Sequence, residues 1–425
     1  VSQHQIEHAC LTDVGVRRSH NQDAFTVQLA SEDRWESCGH VFQVADGMGG
    51  HAVGELASQM AVNIVPHTYQ KYAADGVVPA LLRAFTEANA SIYEKGQKNR
   101  EFQGMGTTST ALVLRAEGAW VGHVGDSRAY RIRDGKIEQL SFDHSLLWEK
   151  ARRQHVAPED LSLRSNIIVR SLGPEAIVDA DIQGPHPLKD GDTFLLCSDG
   201  LCGQLTDPEM GAIVATLPPT EACQFLVDLA NLRGGPDNIT VIIVRVNQVG
   251  EMVVKAKPPW FKRIPWPLYP LLAGVALAAM AVGLMAGKLP GGGFIFGLAA
   301  ISILGGLVGL VIYTHLEKQK QANKPPEYRP RTKVWRDAEA KPDKKFLARL
   351  ARLEVTLADH SREQGWEIDW SAQQRHHHKA VEFLAKNDLA GAMLEMCRGV
   401  RLLTEALHRN RNKEEAFHPV WEAHS

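Results

Sequence analysis

The sequence predicts an α+β globular domain followed by a pair of membrane-length helices and a small all-α tail. Three observations carry that reading. Strand-like apolar runs with aspartates at their ends recur through residues 1–248. Two uncharged apolar stretches follow, Ile264 to Gly287 and Leu289 to Leu316, separated only by Lys288. From Phe346 onward, apolar residues recur at the spacing of amphipathic helices.

Composition sets the bounds. The chain has 425 residues, 44 % hydrophobic and 23 % charged, which suffices for a packed core and excludes global disorder. A net charge of −2 lacks the basic excess of a general nucleic-acid binder. Cys10, Cys38, Cys197, Cys202, Cys223 and Cys397 include no CxxC pair. They read as small apolar fillers in a reducing compartment, not as a zinc or redox site. The N-terminus has no charged-then-apolar signal pattern.

In the first domain, residues 1–248, the aspartates mark the chemistry. His40–Ala45 leads into Asp46-Gly47-Met48-Gly49-Gly50, Trp120–Gly125 into Asp126, and Thr193–Ser198 into Asp199-Gly200. Asp237-Asn238 precedes the apolar run Ile239–Val244. Strands hold their ends rigidly while loops open beyond them, so such acids can converge at one edge of a β core. Converged carboxylates repel unless a cation joins them, and hard oxygen ligands favour Mg²⁺ or Mn²⁺ over zinc. A single aspartate at a strand end is ordinarily a turn or cap residue. Spacing alone therefore reaches only a divalent-metal hydrolase.

The parts beyond this domain follow from length and charge. Residues 249–263 read as a basic linker carrying Lys255, Lys257, Lys262 and Arg263. Residues 264–316 read as a transmembrane hairpin, with helices at 266–287 and 294–314, since about 20 apolar residues cross a bilayer. The turn between them holds Pro290 and three glycines, and Trp260, Trp266, Tyr269 and Tyr313 suit the interface with lipid headgroups. Cations gather on the outer flanks, with Lys318, Lys320 and Lys324 after the second helix. The positive-inside rule then gives a multi-pass protein of the inner membrane, with domain and tail both cytoplasmic. Residues 317–345 read as a linker and 346–425 as a helical tail. Phe346, Leu350, Leu353 and Leu357 share one face, and Asn387-Asp388 marks a helix–helix turn. That stripe is expected to be the core of the tail's own hairpin, the alternative being a docking face for an unknown partner. His376-His377-His378 point different ways on a helix and are expected to be solvated. Gly104-Met105-Gly106-Thr107-Thr108 precedes a strand-like run and reads as tight packing, not a phosphate loop.

Seven strings occur in order: Thr12–Asp23, Asp46–Gly50, Gly104–Thr108, Gly125–Tyr130, Asp143-His144-Ser145, Ser198–Leu201 and Asp237–Thr240. Together they resemble the successive motifs of the metal-dependent PPM family, also called protein phosphatase 2C, over residues 5–246. The resemblance implies an αββα β-sandwich with a binuclear Mg²⁺ or Mn²⁺ site at one edge. By position, Asp46 matches the bridging carboxylate, Gly47 the carbonyl ligand, and Asp199 and Asp237 the ligands of one ion. Asp23 matches an acid that holds the other ion largely through water, and Asp126 the acid of a third, weaker site. Arg18 matches the arginine that grips the substrate phosphate. Ser145 to Ile168 corresponds to the family's variable flap over the substrate. Gln22 departs from a common Glu, and Met48 stands where some members have a histidine; His51 reads as a solvated loop residue.

The implied activity is hydrolysis of phosphoserine and phosphothreonine in phosphorylated protein substrates at a lipid bilayer, opposing a Ser/Thr kinase. The alternatives are a catalytically weak phospho-reader and a membrane scaffold. A fragment ending near Val249 is expected to be soluble and active.

Overall fold

Runs of Val, Ile, Leu and Phe too short for helices and bounded by turns build the sheets. The computed structural model describes residues 6–31, 34–50, 52–161, 167–248, 265–322 and 332–410. The strands are β1 (Ile6–Asp13), β2 (Asp23–Gln28), β3 (His40–Met48), β4 (Gly106–Thr107), β5 (Ser109–Arg115) and β6 (Gly118–Val124). Then come β7 (Arg128–Arg133), β8 (Lys136–Gln139), β9 (Asp181–His186), β10 (Thr193–Cys197), β11 (Ile239–Val246) and β12 (Arg336–Glu339). The helices are α1 (Trp35–Cys38), α2 (Ala52–Tyr72), α3 (Val77–Lys98), α4 (Leu146–Gln154), α5 (Asp199–Cys202) and α6 (Asp207–Thr216). They continue with α7 (Pro219–Leu232), α8 (Leu268–Ala286), α9 (Gly292–Ala322), α10 (Lys344–Glu363), α11 (Trp370–Ala385) and α12 (Leu389–Asn410).

Two antiparallel sheets result, in the orders β1-β11-β10-β7-β8-β12 and β2-β3-β5-β6-β9, with β4 beside β3. Their inner faces meet through Phe42, Val44, Leu112 and Leu114 from one sheet and Phe194, Leu196, Ile242 and Val244 from the other. Helices α2 and α3 cover the second sheet, while α6 and α7 cover the first. This is the helix–sheet–sheet–helix layering that the resemblance implied.

The described residues form two compact units. One combines the N-terminal part of the chain with its C-terminal part; the other is the hairpin that interrupts them. Within the hairpin, α8 and α9 approach closely at small residues. A Cβ at Gly306 would stand 2.6 Å from the Leu271 side chain, and one at Gly274 2.6 Å from that of Ile303. Ser302 Oγ donates to the Pro270 carbonyl at 2.7 Å. Lys255, Lys257, Trp260, Lys262, Arg263 and Lys324 lie outside the described residues.

Three expectations are corrected in the tail. The linker expected at 317–345 contains β12, which pairs antiparallel with β8, Arg336 opposite Gln139 and Glu339 opposite Lys136. A four-residue edge strand of sequence Arg-Asp-Ala-Glu has no apolar signature, so composition hid it. The stripe Phe346, Leu350, Leu353 and Leu357 does not close on the tail alone. It shares one buried cluster with Phe225, Leu226 and Leu229 of α7. Polar ties fix the same docking: Arg398 Nε to Glu221 at 2.9 Å, Thr404 Oγ1 to Asp228 at 3.0 Å, and Arg349 to Glu209 at 3.0 Å. Finally, His376 is half-buried, whereas His377 and His378 are exposed as expected. His376 Nδ1 lies 2.8 Å from Glu395 and His377 Nδ1 3.4 Å from Glu354, both carboxylates being buried between the tail helices.

Candidate metal centre

The register of β2 on β3 sets Asp23 directly opposite Asp46. Asp46 sits near the end of β3, where Thr108 Oγ1 accepts its N–H at 2.8 Å and Thr107 Oγ1 donates to its carbonyl at 2.9 Å. Gly47 follows in a space no side chain could share: a Cβ there would stand 2.0 Å from the Gly54 carbonyl oxygen. Asp199 opens α5 where β10 ends, and Gly200 behind it would drive a Cβ to 1.9 Å from the Asn238 carbonyl oxygen. These close approaches hold the acid-bearing loops against each other. Asp126 follows β6 and is buried. Asp237 precedes β11, and Arg18 Nη2 donates to its Oδ2 at 2.7 Å.

The electrostatics place the five acids in one locus. Burial pushes Asp46 well above the ordinary carboxylate range, and the charges of Asp23, Asp199, Asp126 and Asp237 push it further. Asp23 is raised to about 7 by burial, against the hydrogen bond from Ser198, with Asp199 and Asp237 adding repulsion. Asp126 rises through burial, Asp199 and Asp143; Asp199 rises through burial and Asp237, opposed by Asp46, Arg128 and Arg18. Such mutual repulsion is relieved by a shared cation.

A test of that fit lies in the hydrogen bonding. Asp23 Oδ1, Asp126 Oδ1 and Asp199 Oδ1 are buried with no hydrogen-bond partner. Buried acceptors are ordinarily satisfied, so three orphans in one acidic cluster suit divalent cations. Among the described residues no three His, Cys, Asp or Glu side chains already gather on a single ligand point. Asp237 is engaged by Arg18. The donors are all oxygens, the set that selects Mg²⁺ or Mn²⁺ over softer ions.

All seven residues singled out in the sequence thus lie at or beside this cluster, Arg18 as the counter-ion of Asp237 and Gly47 as the strand residue after Asp46, paired with Thr107. Supporting residues given no role from sequence are also in place. Ser198 Oγ donates to Asp23 Oδ2 at 2.7 Å and accepts the Thr240 N–H at 2.9 Å. Asn238 accepts the Gln22 N–H at 2.8 Å and donates to the Val14 and His20 carbonyls at 2.8 and 2.9 Å. Arg128 grips Asp143 through Nε and Nη2, the shortest contact being 2.7 Å. Each adjoins or lies near a predicted acid in sequence, and that adjacency was the only available signal. Gln22 Nε2 reaches the Gly49 carbonyl at 3.3 Å. His51 lies outside the described residues. In the segment read as a flap, Ser145 caps α4 and bridges Ile168, closing the base of the loop.

Comparison with known proteins gives the family. A protein phosphatase 2C family model matches residues 16–226. The chain is 35 % identical over 243 residues to the serine/threonine phosphatase stp of Listeria innocua, covering 56 % of this chain and 94 % of that one. It is 35 % identical over 249 residues to protein phosphatase PhpP of Streptococcus pneumoniae, covering 57 % and 98 % respectively. Among solved structures, the serine/threonine phosphatase PstP/Ppp of Mycobacterium tuberculosis superposes with a TM-score of 0.51 at 29 % identity, over 57 % of this chain and 99 % of that one. The S. agalactiae serine/threonine phosphatase superposes with a TM-score of 0.51 at 35 % identity, over the same shares. With the acid cluster at the sheet edges and near-complete coverage of these relatives, the chain belongs to the protein phosphatase 2C family and is a serine/threonine phosphatase.

Proposed function

We propose that this chain is a membrane-anchored phosphatase that removes phosphate from phosphoserine and phosphothreonine at a binuclear Mg²⁺ or Mn²⁺ site, opposing a Ser/Thr kinase. The observation that carries the metal reading is the trio of orphaned, buried oxygens on Asp23, Asp126 and Asp199. Asp46, with the Gly47 carbonyl beside it, and Asp23, Asp199 and Asp237 would hold the two ions. Asp126 would serve a third, weaker site. Bound divalent ions supply an activated water near neutral pH. The chain's own residues do the rest. Ser198 steadies Asp23, Thr107 and Thr108 fix the backbone of Asp46, and Arg18 moves from Asp237 to the substrate phosphate, where a guanidinium can bind two oxygens. Phosphate release from a phosphothreonine peptide, with Mn²⁺ and with chelator, tests this. Equal release in both would sink the metal reading.

The anchor reading rests on the hairpin. Leu268–Ala286 and Gly292–Leu316 have mean hydropathies of 2.0 and 2.5 and are mostly exposed within their unit, 11 % and 17 % buried. Water-facing apolar surface on that scale is unfavourable, whereas lipid accepts it. A topological point supports the orientation. The chain before the hairpin and β12 after it belong to one sheet, so the chain must cross a bilayer an even number of times. Two helices satisfy that, and the basic flanks select the cytoplasmic side. Alkaline extraction of membranes, with protease protection of the tail in sealed vesicles, is the check; release into the soluble fraction would contradict the anchor.

A further inference from the structure

The family model ends at residue 226, yet the segment that returns after the hairpin builds one wall of a cleft against the flap helix. The cleft has a volume of about 530 Å³, and its lining includes Phe142, Trp148, Arg152, His155, Lys333 and Trp335. The walls are mutually braced. Trp335 lies 4.6 Å from Phe142, and Trp148 meets Phe142 edge-on at 5.5 Å. Trp148 is flanked by Arg128 from the domain and Arg336 from the returning segment, each 5.7 Å from its ring. The charge is lopsided. Lys333 is exposed and lies over the Trp335 ring at 3.9 Å; Arg152, over the Phe142 ring at 5.1 Å, also meets Glu149 at 2.6 Å, and Asp337, the acid in the lining, is held by Lys136 at 2.9 Å. The Trp335 indole N–H is buried with no acceptor among the described residues. Phe142 lies two residues before His144, whose N–H donates to the Gly125 carbonyl at 2.7 Å, so the segment that walls the cleft runs beside Gly125-Asp126.

We propose that this cleft, walled by α4 and by Lys333–Asp337, is a substrate-reading site for an acidic peptide segment flanking the phosphorylated residue. The proposal rests on the phosphoprotein-phosphatase reading above. The half-buried Trp335 takes the peptide's apolar groups, and the exposed Lys333 takes its carboxylates, with Arg152 beside it shared with Glu149. Lys333 is exposed, so its replacement spares the fold. The test uses the full chain in detergent micelles with Mn²⁺. Two phosphothreonine peptides, identical except for Glu or Gln flanks, are compared with p-nitrophenyl phosphate. The wild type is expected to show a KM several-fold lower for the Glu peptide. Lys333→Glu should raise that KM about tenfold and abolish the preference, leaving kcat and p-nitrophenyl phosphate hydrolysis unchanged. Trp335→Phe, which keeps an aromatic ring but replaces the indole and its N–H by a smaller phenyl, should raise the same KM more weakly. No preference in the wild type would overturn the proposal. So would a Lys333→Glu effect shared equally by both peptides and the small substrate, or an effect confined to binding anionic lipid vesicles. If p-nitrophenyl phosphate turns over but neither peptide does, the phosphoprotein reading falls and the proposal with it.

Discussion

Ser198 is the side chain on which the acid cluster most plainly leans. Its hydroxyl bridges Asp23 and the backbone of β11, so it holds one proposed ligand against the strand that follows another. Ser198→Ala is expected to cost about 10–100-fold in metal affinity or metal-dependent turnover, as loss of ligand-orienting partners generally does. Manganese titration of the variant checks it; unchanged affinity would make Ser198 a packing residue only. Arg18→Ala should lower kcat/KM by about 10²- to 10³-fold if the guanidinium meets the phosphate, the usual loss for one preorganised donor. Steady-state kinetics on a phosphothreonine peptide measures it. At this level the sequence was informative about acids and silent about their supports. Asp46 and Asp199 follow apolar runs and could be found. Ser198 and Asn238 look like ordinary turn residues until the fold brings β2, β10 and β11 together.

The tail helices show where sequence periodicity stops. The spacing of Phe346, Leu350, Leu353 and Leu357 gave a helix and its apolar face. What that face covers depends on the outer layer over β7, β10 and β11, which no local pattern encodes. Leu350 is fully buried, so Leu350→Ala should destabilise the unit by about 2–5 kcal/mol, measured by denaturant unfolding. Glu209 in α6 adds a pH signature. Burial alone would raise its carboxyl, but hydrogen bonds from Arg233 and the charge of Arg349 hold it below the usual range. A depressed folded pKa stabilises above the unfolded value, about 4.3, and that stabilisation is lost as pH falls further. The thermal midpoint should therefore drop steeply below about pH 4. Glu209→Gln should flatten the drop while lowering the midpoint at neutral pH.

For the molecule as a whole, the sequence divided the chain too simply. Three successive regions were legible; that the third folds back into the first was not, because β12 is four residues long and charged. A fragment ending near Val249 loses β12 and uncovers the faces of α6 and α7 on which the tail packs. It is expected to be less stable and to self-associate, contrary to the reading from sequence. A chain in which residues 253–329 are replaced by a long flexible linker keeps the whole catalytic unit. It should remain monomeric in sedimentation, and it removes the detergent from every assay. On that chain, the most direct test of the acid cluster is calorimetric titration with Mn²⁺. Two tight sites per chain are predicted, falling to at most one in Asp46→Asn, because Asp46 is the carboxylate proposed to bridge them. An unchanged stoichiometry and affinity in Asp46→Asn would contradict the binuclear centre.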